Sequence, residues 1–367
     1  MKHAAVFFAS FACALAHGAD HYTLADYDRV EKIDAHMHLH SADPGFLQAA
    51  ARERFKVLTI NVDYPDFPPI VVQQRVALAL ALKVATPGRL AFAATFPVDR
   101  SNEPGWAAET VRRIDEAMQA GAVGIKVWKN IGMALRAADG TLVMIDDPRF
   151  APVFDHLAER GIPLLGHQGE PYNCWLPVAE MTVNNDKEYF KAHPQYHMNK
   201  HPEMPGWQAQ MAARDRMLAA HPGLRFVGMH LASQERDVDE LAAFLDRFPG
   251  AVVDVAARIG QLQYQSQRDR EKVRGFFIRY QDRLIYGSDL SQAPDQTAAS
   301  AAAEARTVWR AHWRYFNTDQ TMQVPELDRP VRGLALPRAV VDKLYRLNAQ
   351  RSFPGAWAEA DEGKRTP

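Results

Sequence analysis

The sequence contains little cysteine, no excess of charge of either sign and only one long apolar run. Two of its 367 residues are cysteine, too few for a framework of several disulfides or for a cysteine-rich structural zinc site. The 43 basic and 44 acidic side chains give a net charge of −1 with histidine neutral. This balance predicts no nucleic-acid partner, and a small-molecule substrate is therefore the default.

The apolar run lies at the N-terminus and is typical of an export signal. Lys2 supplies a positive start, positions 4–16 are apolar with one exception, and Ala14-Leu15-Ala16 is a pattern that signal peptidase accepts. The run is shorter than the roughly 20 residues of a membrane span. We therefore expect residues 1–19 to be a signal peptide, the mature chain to have no membrane span, and the protein to be periplasmic or secreted. An uncleaved anchor and a buried helix are the alternatives.

The rest of the chain has no linker, internal repeat or low-complexity run that would divide it. Eight apolar segments typical of buried strands alternate with eight segments of helical period, which predicts a single (β/α)8 TIM barrel over residues 20–355, followed by a polar tail at 356–367. A doubly wound open sheet is the rival, although that fold most often carries a glycine-rich phosphate turn after its first strand. The predicted strands begin near Ile33, Lys56, Leu90, Gly124, Ile162, Phe226, Ala251 and Leu284.

Histidines and an aspartate lie where four of these strands end. His36 and His38 are two positions apart on the first strand, so their side chains point the same way and can chelate one metal ion. His167, His230 and Asp289 end three further strands. A packed core would not choose polar strand ends unless those ends open onto a site. In a (β/α)8 barrel these ends form the active site, so we expect the five side chains to meet there.

The motifs His36-Met37-His38, Gly166-His167, Met229-His230 and Gly287-Ser288-Asp289, in this order, resemble those of the metal-dependent amidohydrolase superfamily. The likeness is greatest to its amidohydrolase-related (amidohydrolase 2) branch and spans about residues 32–355. It implies one divalent metal ion, expected to be zinc, with His36, His38, His167 and Asp289 as ligands and His230 beside them.

This resemblance predicts a hydrolase that cleaves a small ester, lactone or amide. The ion lowers the pKa of a bound water, Asp289 accepts its proton, and His230 polarises the substrate carbonyl or protonates the leaving group. A metal-dependent decarboxylase on the same scaffold is one alternative, and a non-catalytic exported metal- or ligand-binding barrel is another. A helix-capping role for Asp289 and an ordinary core role for His230 stay open.

Three further residues are candidates for binding substrate. Lys126, in the fourth strand, is predicted to contact substrate, with a carbamate bridge between two metals and a solvated surface lysine as alternatives. Trp128 lies on the same strand face and can wall the pocket or pack in the core. Arg258 is a candidate clamp for a substrate carboxylate, or else pairs with a neighbouring acid. Residues 168–206, after the fifth strand, are expected to form a lid-like insertion. A homo-oligomer stays open.

The export hypothesis predicts the first residue of the mature protein. Cleavage after Ala16 or Ala19 should give an N-terminus between His17 and Asp20, because small residues stand at these positions. Edman sequencing or intact mass of the exported protein measures this directly. An intact chain that begins at Met1 and stays in the cytoplasm would contradict the hypothesis.

Overall fold

The computed structural model of the protein describes residues 21–358, so the predicted signal peptide lies outside the described residues. A sheet of nine parallel strands curls into a barrel, and from β1 to β8 neighbouring strands follow the order of the chain. The (β/α)8 fold is thereby confirmed, with each strand beginning within about two residues of its predicted start. The strands are β1 (Lys32–Leu39), β2 (Phe55–Ile60), β3 (Leu90–Thr95), β4 (Ile125–Val127), β5 (Leu164–Gly166), β6 (Phe226–Gly228), β7 (Val252–Asp254), β8 (Leu284–Ile285) and β9 (Leu290–Gln292).

Helices connect successive strands, and the sequence pattern did not predict several of the shorter helices. The segment between β7 and β8 holds two helices where the periodicity predicted one, and a small antiparallel hairpin of β10 (Thr321–Met322) and β11 (Val331–Arg332) follows the long α12. The helices are α1 (Gly45–Arg52), α2 (Ile70–Ala85), α3 (Trp106–Gln119), α4 (Asn130–Met133), α5 (Ala151–Arg160), α6 (Asn184–Ala192), α7 (Trp207–Ala220), α8 (Met229–Ala232), α9 (Val238–Arg247), α10 (Ile259–Arg268), α11 (Arg270–Arg279), α12 (Ala298–Asn317), α13 (Arg338–Asp342) and α14 (Asn348–Ser352).

The barrel closes between β1 and the last strand, which is interrupted by Gly287-Ser288-Asp289. Before the interruption the Ala35 N–H donates to the Tyr286 carbonyl at 3.0 Å, and after it β9 pairs in parallel with residues 37–39 of β1. A Cβ atom at Gly287 would lie 2.7 Å from the Cβ of His36, far inside van der Waals contact. Glycine at this position therefore allows the last strand to approach β1.

A buried carboxylate ties this closure to the outer helices. Asp34 Oδ1 accepts hydrogen bonds from the backbone N–H groups of His36 at 3.2 Å and Ser288 at 3.0 Å. Its Oδ2 accepts from the Trp309 Nε1–H of α12 at 2.7 Å. Burial raises the pKa of Asp34 to about 6, against the opposing effect of these donors. One side chain thus joins β1, the last strand and α12.

The C-terminal segment packs against the barrel as well. Phe353 and Trp357 belong to the same buried apolar cluster as Ile33 of β1 and Leu58 of β2, and the Trp357 Nε1–H donates to the Val57 carbonyl at 3.0 Å. The first residues of the predicted tail at 356–367 are therefore part of the packed structure. Across residues 21–358 we find no helix with the length and apolar character needed to cross a membrane.

The Asp34 contacts generate a prediction about stability. Asp34→Ala should lower the free energy of unfolding by roughly 2–4 kcal/mol, because three buried donors lose their acceptor. Asp34→Asn should cost less, since its oxygen can keep the two backbone bonds and only Trp309 faces a second donor. Urea denaturation of both variants measures the difference. The control is Asp28→Ala, which removes an exposed carboxylate; equal losses for Asp28→Ala and Asp34→Ala would contradict the role of Asp34.

Candidate metal centre

The five side chains predicted from the strand ends do meet at the C-terminal end of the barrel. His36 and His38 lie in β1, His167 follows β5, His230 follows β6, and Asp289 lies between β8 and β9. Asp289 Oδ1 is 3.1 Å from His36 Nε2 and 3.2 Å from His38 Nε2. Ligand atoms of His36, His230 and Asp289 all lie within 4.8 Å of one another. The ring centroids of His167 and His230 are 4.2 Å apart. His230 therefore shares one ligand-sized space with His36 and Asp289, a position that the resemblance did not give it.

In three of the histidines, one ring nitrogen forms a hydrogen bond with an oxygen that can only act as the acceptor. His36 Nδ1 is 2.7 Å from Asp254 Oδ2, His38 Nδ1 is 2.8 Å from the Ile60 carbonyl, and His230 Nδ1 is 3.0 Å from the Ala256 carbonyl. Each Nδ1 therefore carries the proton and donates it. In the neutral ring the lone pair is left on Nε2, which is the form that binds a metal ion.

The donor set fits a divalent metal ion. Within residues 21–358, the buried His167 Nε2 has no hydrogen-bond partner, and the buried His36 Nε2 has only Asp289 Oδ1 nearby, at 3.1 Å and without the alignment of a hydrogen bond. Buried polar atoms are rarely left in this state unless an ion, a water or a ligand satisfies them. Several imidazole nitrogens beside one carboxylate form a common site for zinc and similar divalent ions.

The charges around the centre favour the ligating forms of these groups. Burial lowers the pKa of His38, and it lowers those of His167 and His230 well below the ordinary value, so these rings are neutral. Burial alone would raise the pKa of Asp289, but opposing effects, of which the charge of His36 is the largest, outweigh it and hold this pKa well below its usual range. Asp289 is therefore a carboxylate.

His36 differs from the other three histidines because it lies between two carboxylates. Burial lowers the pKa of His36, but the charge of Asp254, followed by that of Asp289, outweighs this effect and raises it to about 9. A metal ion that binds at His36 Nε2 must displace the proton from this atom.

Asp254, the last residue of β7, is a functional candidate that the sequence analysis missed. Its Oδ2 accepts from His36 Nδ1, and its Oδ1 accepts from the backbone N–H groups of His230 at 2.7 Å and Ala256 at 3.2 Å. A single buried carboxylate therefore orients one candidate ligand through its ring and another through its backbone. The position of Asp254 at a strand end, like that of Asp289, is a signal that could have identified it.

His230 is held in a conformation that few residues adopt. The segment labelled α8 is not a regular α-helix, because residues 230–233 all have positive φ angles between 52° and 58°. This left-handed turn costs roughly 1–2 kcal/mol per residue. Hydrogen bonds offset this cost: Ser233 Oγ donates to the Gln168 carbonyl at 2.9 Å, and Trp207 Nε1 donates to the Ser233 carbonyl at 3.1 Å. Backbone strain of this kind persists where many surrounding contacts fix the conformation, typically at functional sites.

The three predicted substrate residues are buried or half-buried near the C-terminal ends of β4 and β7. Lys126 is 1% exposed and Arg258 is 6% exposed, and both Lys126 Nζ and Arg258 Nε lack a hydrogen-bond partner in the described part of the chain. Burial lowers the pKa of Lys126 to about 8, against the opposing charges of Asp254 and Asp289. The half-buried Trp128 ring has its centroid 6.5 Å from that of His167. Lys126 is therefore not a solvated surface lysine, and Trp128 adjoins the centre.

The segment at 168–206 forms a compact unit of short helices between β5 and α7. Its apolar side chains make a separate cluster around Cys174, Phe190 and Met198, against which Met133 of α4 packs. Glu170 of this segment pairs with Lys129, which follows β4. The insertion is thereby attached to the barrel beside Trp128.

Comparison with known proteins gives the family and the fold of the chain. A family model described as amidohydrolase matches residues 33–355. A solved structure of amidohydrolase II is 15% identical, and the match covers 88% of this chain and 99% of that one with a TM-score of 0.50, which shows a shared fold. The structure of 2,6-dihydroxybenzoate decarboxylase is 14% identical, with coverages of 88% and 99% and a TM-score of 0.46. That of 5-carboxyvanillate decarboxylase from Sphingomonas paucimobilis is 15% identical, with coverages of 88% and 98% and a TM-score of 0.45. No curated protein matches the sequence.

The contacts of Asp254 predict a loss of metal affinity on substitution. In Asp254→Asn the amide oxygen can keep the backbone bonds to His230 and Ala256, but the amide nitrogen then faces His36 Nδ1 as a donor. The ring must move its proton to Nε2, the atom needed for the metal, so zinc affinity should fall by roughly 10–100-fold. Competition with a chromophoric chelator measures this.

A buried aspartate outside the centre provides the matched control. Asp186, in the insertion, accepts hydrogen bonds from Asn173 of the same segment and from Gln261 of α10. Asp186→Asn should keep the zinc affinity of the unsubstituted protein. Equal zinc affinity in Asp254→Asn and Asp186→Asn would show that Asp254 does not set the tautomer of His36.

Proposed function

The chain belongs to the amidohydrolase family, and from this premise we propose that it is a metal-dependent hydrolase that cleaves a small ester, lactone or amide. The observation that carries the proposal is the convergence of His36 Nε2, His38 Nε2 and the Asp289 carboxylate, with the Nδ1 atoms of both rings held by acceptors. Zinc is the ion that we propose, held by these three residues and His167. We also propose that the protein is exported.

In the proposed hydrolysis, the metal ion, Asp289 and His230 have different roles. A bound divalent ion supplies Lewis acidity, which lowers the pKa of water and polarises a carbonyl. The Asp289 side chain is 29% exposed, whereas that of His36 is 1% exposed, so its carboxylate reaches the open side of the centre and can accept a proton from the attacking water. The Ala256 carbonyl accepts the Nδ1 proton of the neutral His230 ring, so Nε2 carries a lone pair. His230 can therefore take up a proton at Nε2, and it can protonate a leaving group only after it has done so.

Two buried cations support a substrate that carries a carboxylate. Lys126 Nζ and Arg258 Nε have no hydrogen-bond partner within residues 21–358, and the one hydrogen bond of the Arg258 guanidinium is from Nη1 to the Ala257 carbonyl at 3.0 Å. A buried cation that forms no ion pair is costly, and a substrate carboxylate would satisfy it. Trp128 would form a wall of the same pocket.

The same two cations favour a second candidate function, a metal-dependent decarboxylase. A carboxylate held by Lys126 or Arg258 beside the centre is also a group that can leave as carbon dioxide. A panel of lactones, esters, amides and aromatic carboxylates, assayed for both hydrolysis and carbon dioxide release, separates the two reactions. Hydrolysis without carbon dioxide release is the expected result, and the reverse would replace the proposal with its alternative.

Substitution of Asp289 and His230 tests their proposed roles. Asp289→Asn keeps one ligand oxygen but removes the proton acceptor, so turnover should fall by roughly 10²-fold or more while zinc is largely retained. His230→Asn should also lower turnover and leave the zinc content unchanged. Steady-state kinetics and metal analysis of the purified proteins measure both effects.

A matched control and a contrary result complete this test. Asp295→Asn, in the exposed loop after β9, should change neither turnover nor zinc content. Loss of zinc from His230→Asn would make His230 a ligand, and full activity in Asp289→Asn would exclude it as the proton acceptor.

A further inference from the structure

A cavity of 260 Å³ lies at the seam between the barrel and the insertion. Trp128 and Lys129, which follow β4, form its barrel side together with Met133 of α4. The insertion contributes Met198 and Met204. The cavity therefore exists only because the insertion packs against this part of the barrel.

The walls of the cavity suit an uncharged apolar group. Three of its side chains are methionines, whose flexible thioethers adapt to the shape of a ligand, and Trp128 adds an aromatic face. Lys129 and Glu170 also line it, but they pair with one another, and their side chains are only 19% and 7% exposed. Their charges cancel locally, so an anionic group would find no free cation among these two.

Trp128 lies between the cavity and the surroundings of the candidate metal centre. Its ring lines the cavity and is 6.5 Å, centroid to centroid, from the ring of His167. The Trp128 ring also contacts Tyr64 edge to face, with centroids 4.8 Å apart. A substrate that binds beside His167 would reach the cavity by passing Trp128.

The volume limits the group that fits. A dry protein cavity of about 150 Å³ accommodates benzene, so 260 Å³ accommodates a phenyl or indole ring with a short linker. Gln195, Tyr196 and Glu203 line the cavity and are exposed, which leaves one side open for the group to enter.

We propose that this cavity is a specificity subsite, which binds an uncharged apolar group of about the size of a phenyl or indole ring. The assignment of this group to the substrate rests on the proposed function. Binding of such a group to the cavity does not depend on that function. The cavity lies outside the centre where bonds are broken, so it selects substrates without taking part in the chemistry.

Methionine methyl groups provide a direct measurement of binding. In protein labelled with [¹³C-methyl]methionine, titration with indole should shift the resonances of Met133, Met198 and Met204 in a saturable way, because an aromatic ring would stack among them. The resonance of Met37, in the core of β1, should stay in place. Single substitutions of each methionine by leucine assign the signals.

A variant that fills the cavity sharpens the test. Met204→Trp places a large ring in the cavity at a partly exposed position, and the saturable shifts at Met133 and Met198 should disappear. Met118→Trp adds the same ring to a half-buried position on α3, away from the cavity, and should leave the indole titration unchanged. Unshifted cavity methionines in the unsubstituted protein, or an unchanged titration in Met204→Trp, would overturn the subsite.

Substrate selection tests the link to catalysis separately. Among esters that the enzyme cleaves, the ratio of kcat/KM for a phenylpropyl ester to that for the methyl ester should fall about tenfold or more in Met204→Trp and stay constant in Met118→Trp. A constant ratio in Met204→Trp would overturn the assignment of the bound group to the substrate. Failure to cleave any compound of the panel would overturn the proposed function, while the indole titration would still decide whether the cavity binds an apolar group.

Discussion

The closure of the barrel between β1 and the last strand is the interaction on which the candidate centre depends. The Ala35 N–H bonds to the Tyr286 carbonyl, and the Asp289 N–H bonds to the His36 carbonyl at 2.8 Å. These two bonds bring the Asp289 carboxylate to the histidines of β1. Because the approach is close enough to exclude a side chain at Gly287, closure and ligand geometry are set by the same backbone contact.

Two buried carboxylates make this geometry specific. A carboxylate taken out of water is costly unless donors surround it, and both Asp34 and Asp254 accept three hydrogen bonds each. Asp34 acts on the backbone at the closure, whereas Asp254 acts on the ring of His36 and on the strained backbone of His230. Together they pre-organise the centre, so that little reorganisation is needed when a ligand binds.

The barrel and its insertion contribute different properties to the proposed enzyme. The strand ends supply the candidate metal ligands and the buried cations Lys126 and Arg258, which suit the proposed reaction at a carbonyl or carboxylate. The insertion adds an apolar cavity beside Trp128, attached through the pair of Lys129 and Glu170. A fold shared by many enzymes can thus acquire its own substrate preference through a single long segment between β5 and α7.

The sequence by itself determined the barrel and the type of site, because both depend on local patterns. Apolar runs of strand length marked all eight barrel strands, and parallel strands bring their ends to one edge, so polar ends such as His36 and His167 had to converge. Only the tertiary structure decided which groups support them. His36 and its partner Asp254 are 218 positions apart, the left-handed turn at His230 is held by contacts from other elements, and the cavity forms where Met133 meets Met204. Such contacts depend on the relative position of distant segments, which periodicity and spacing along a single chain do not encode.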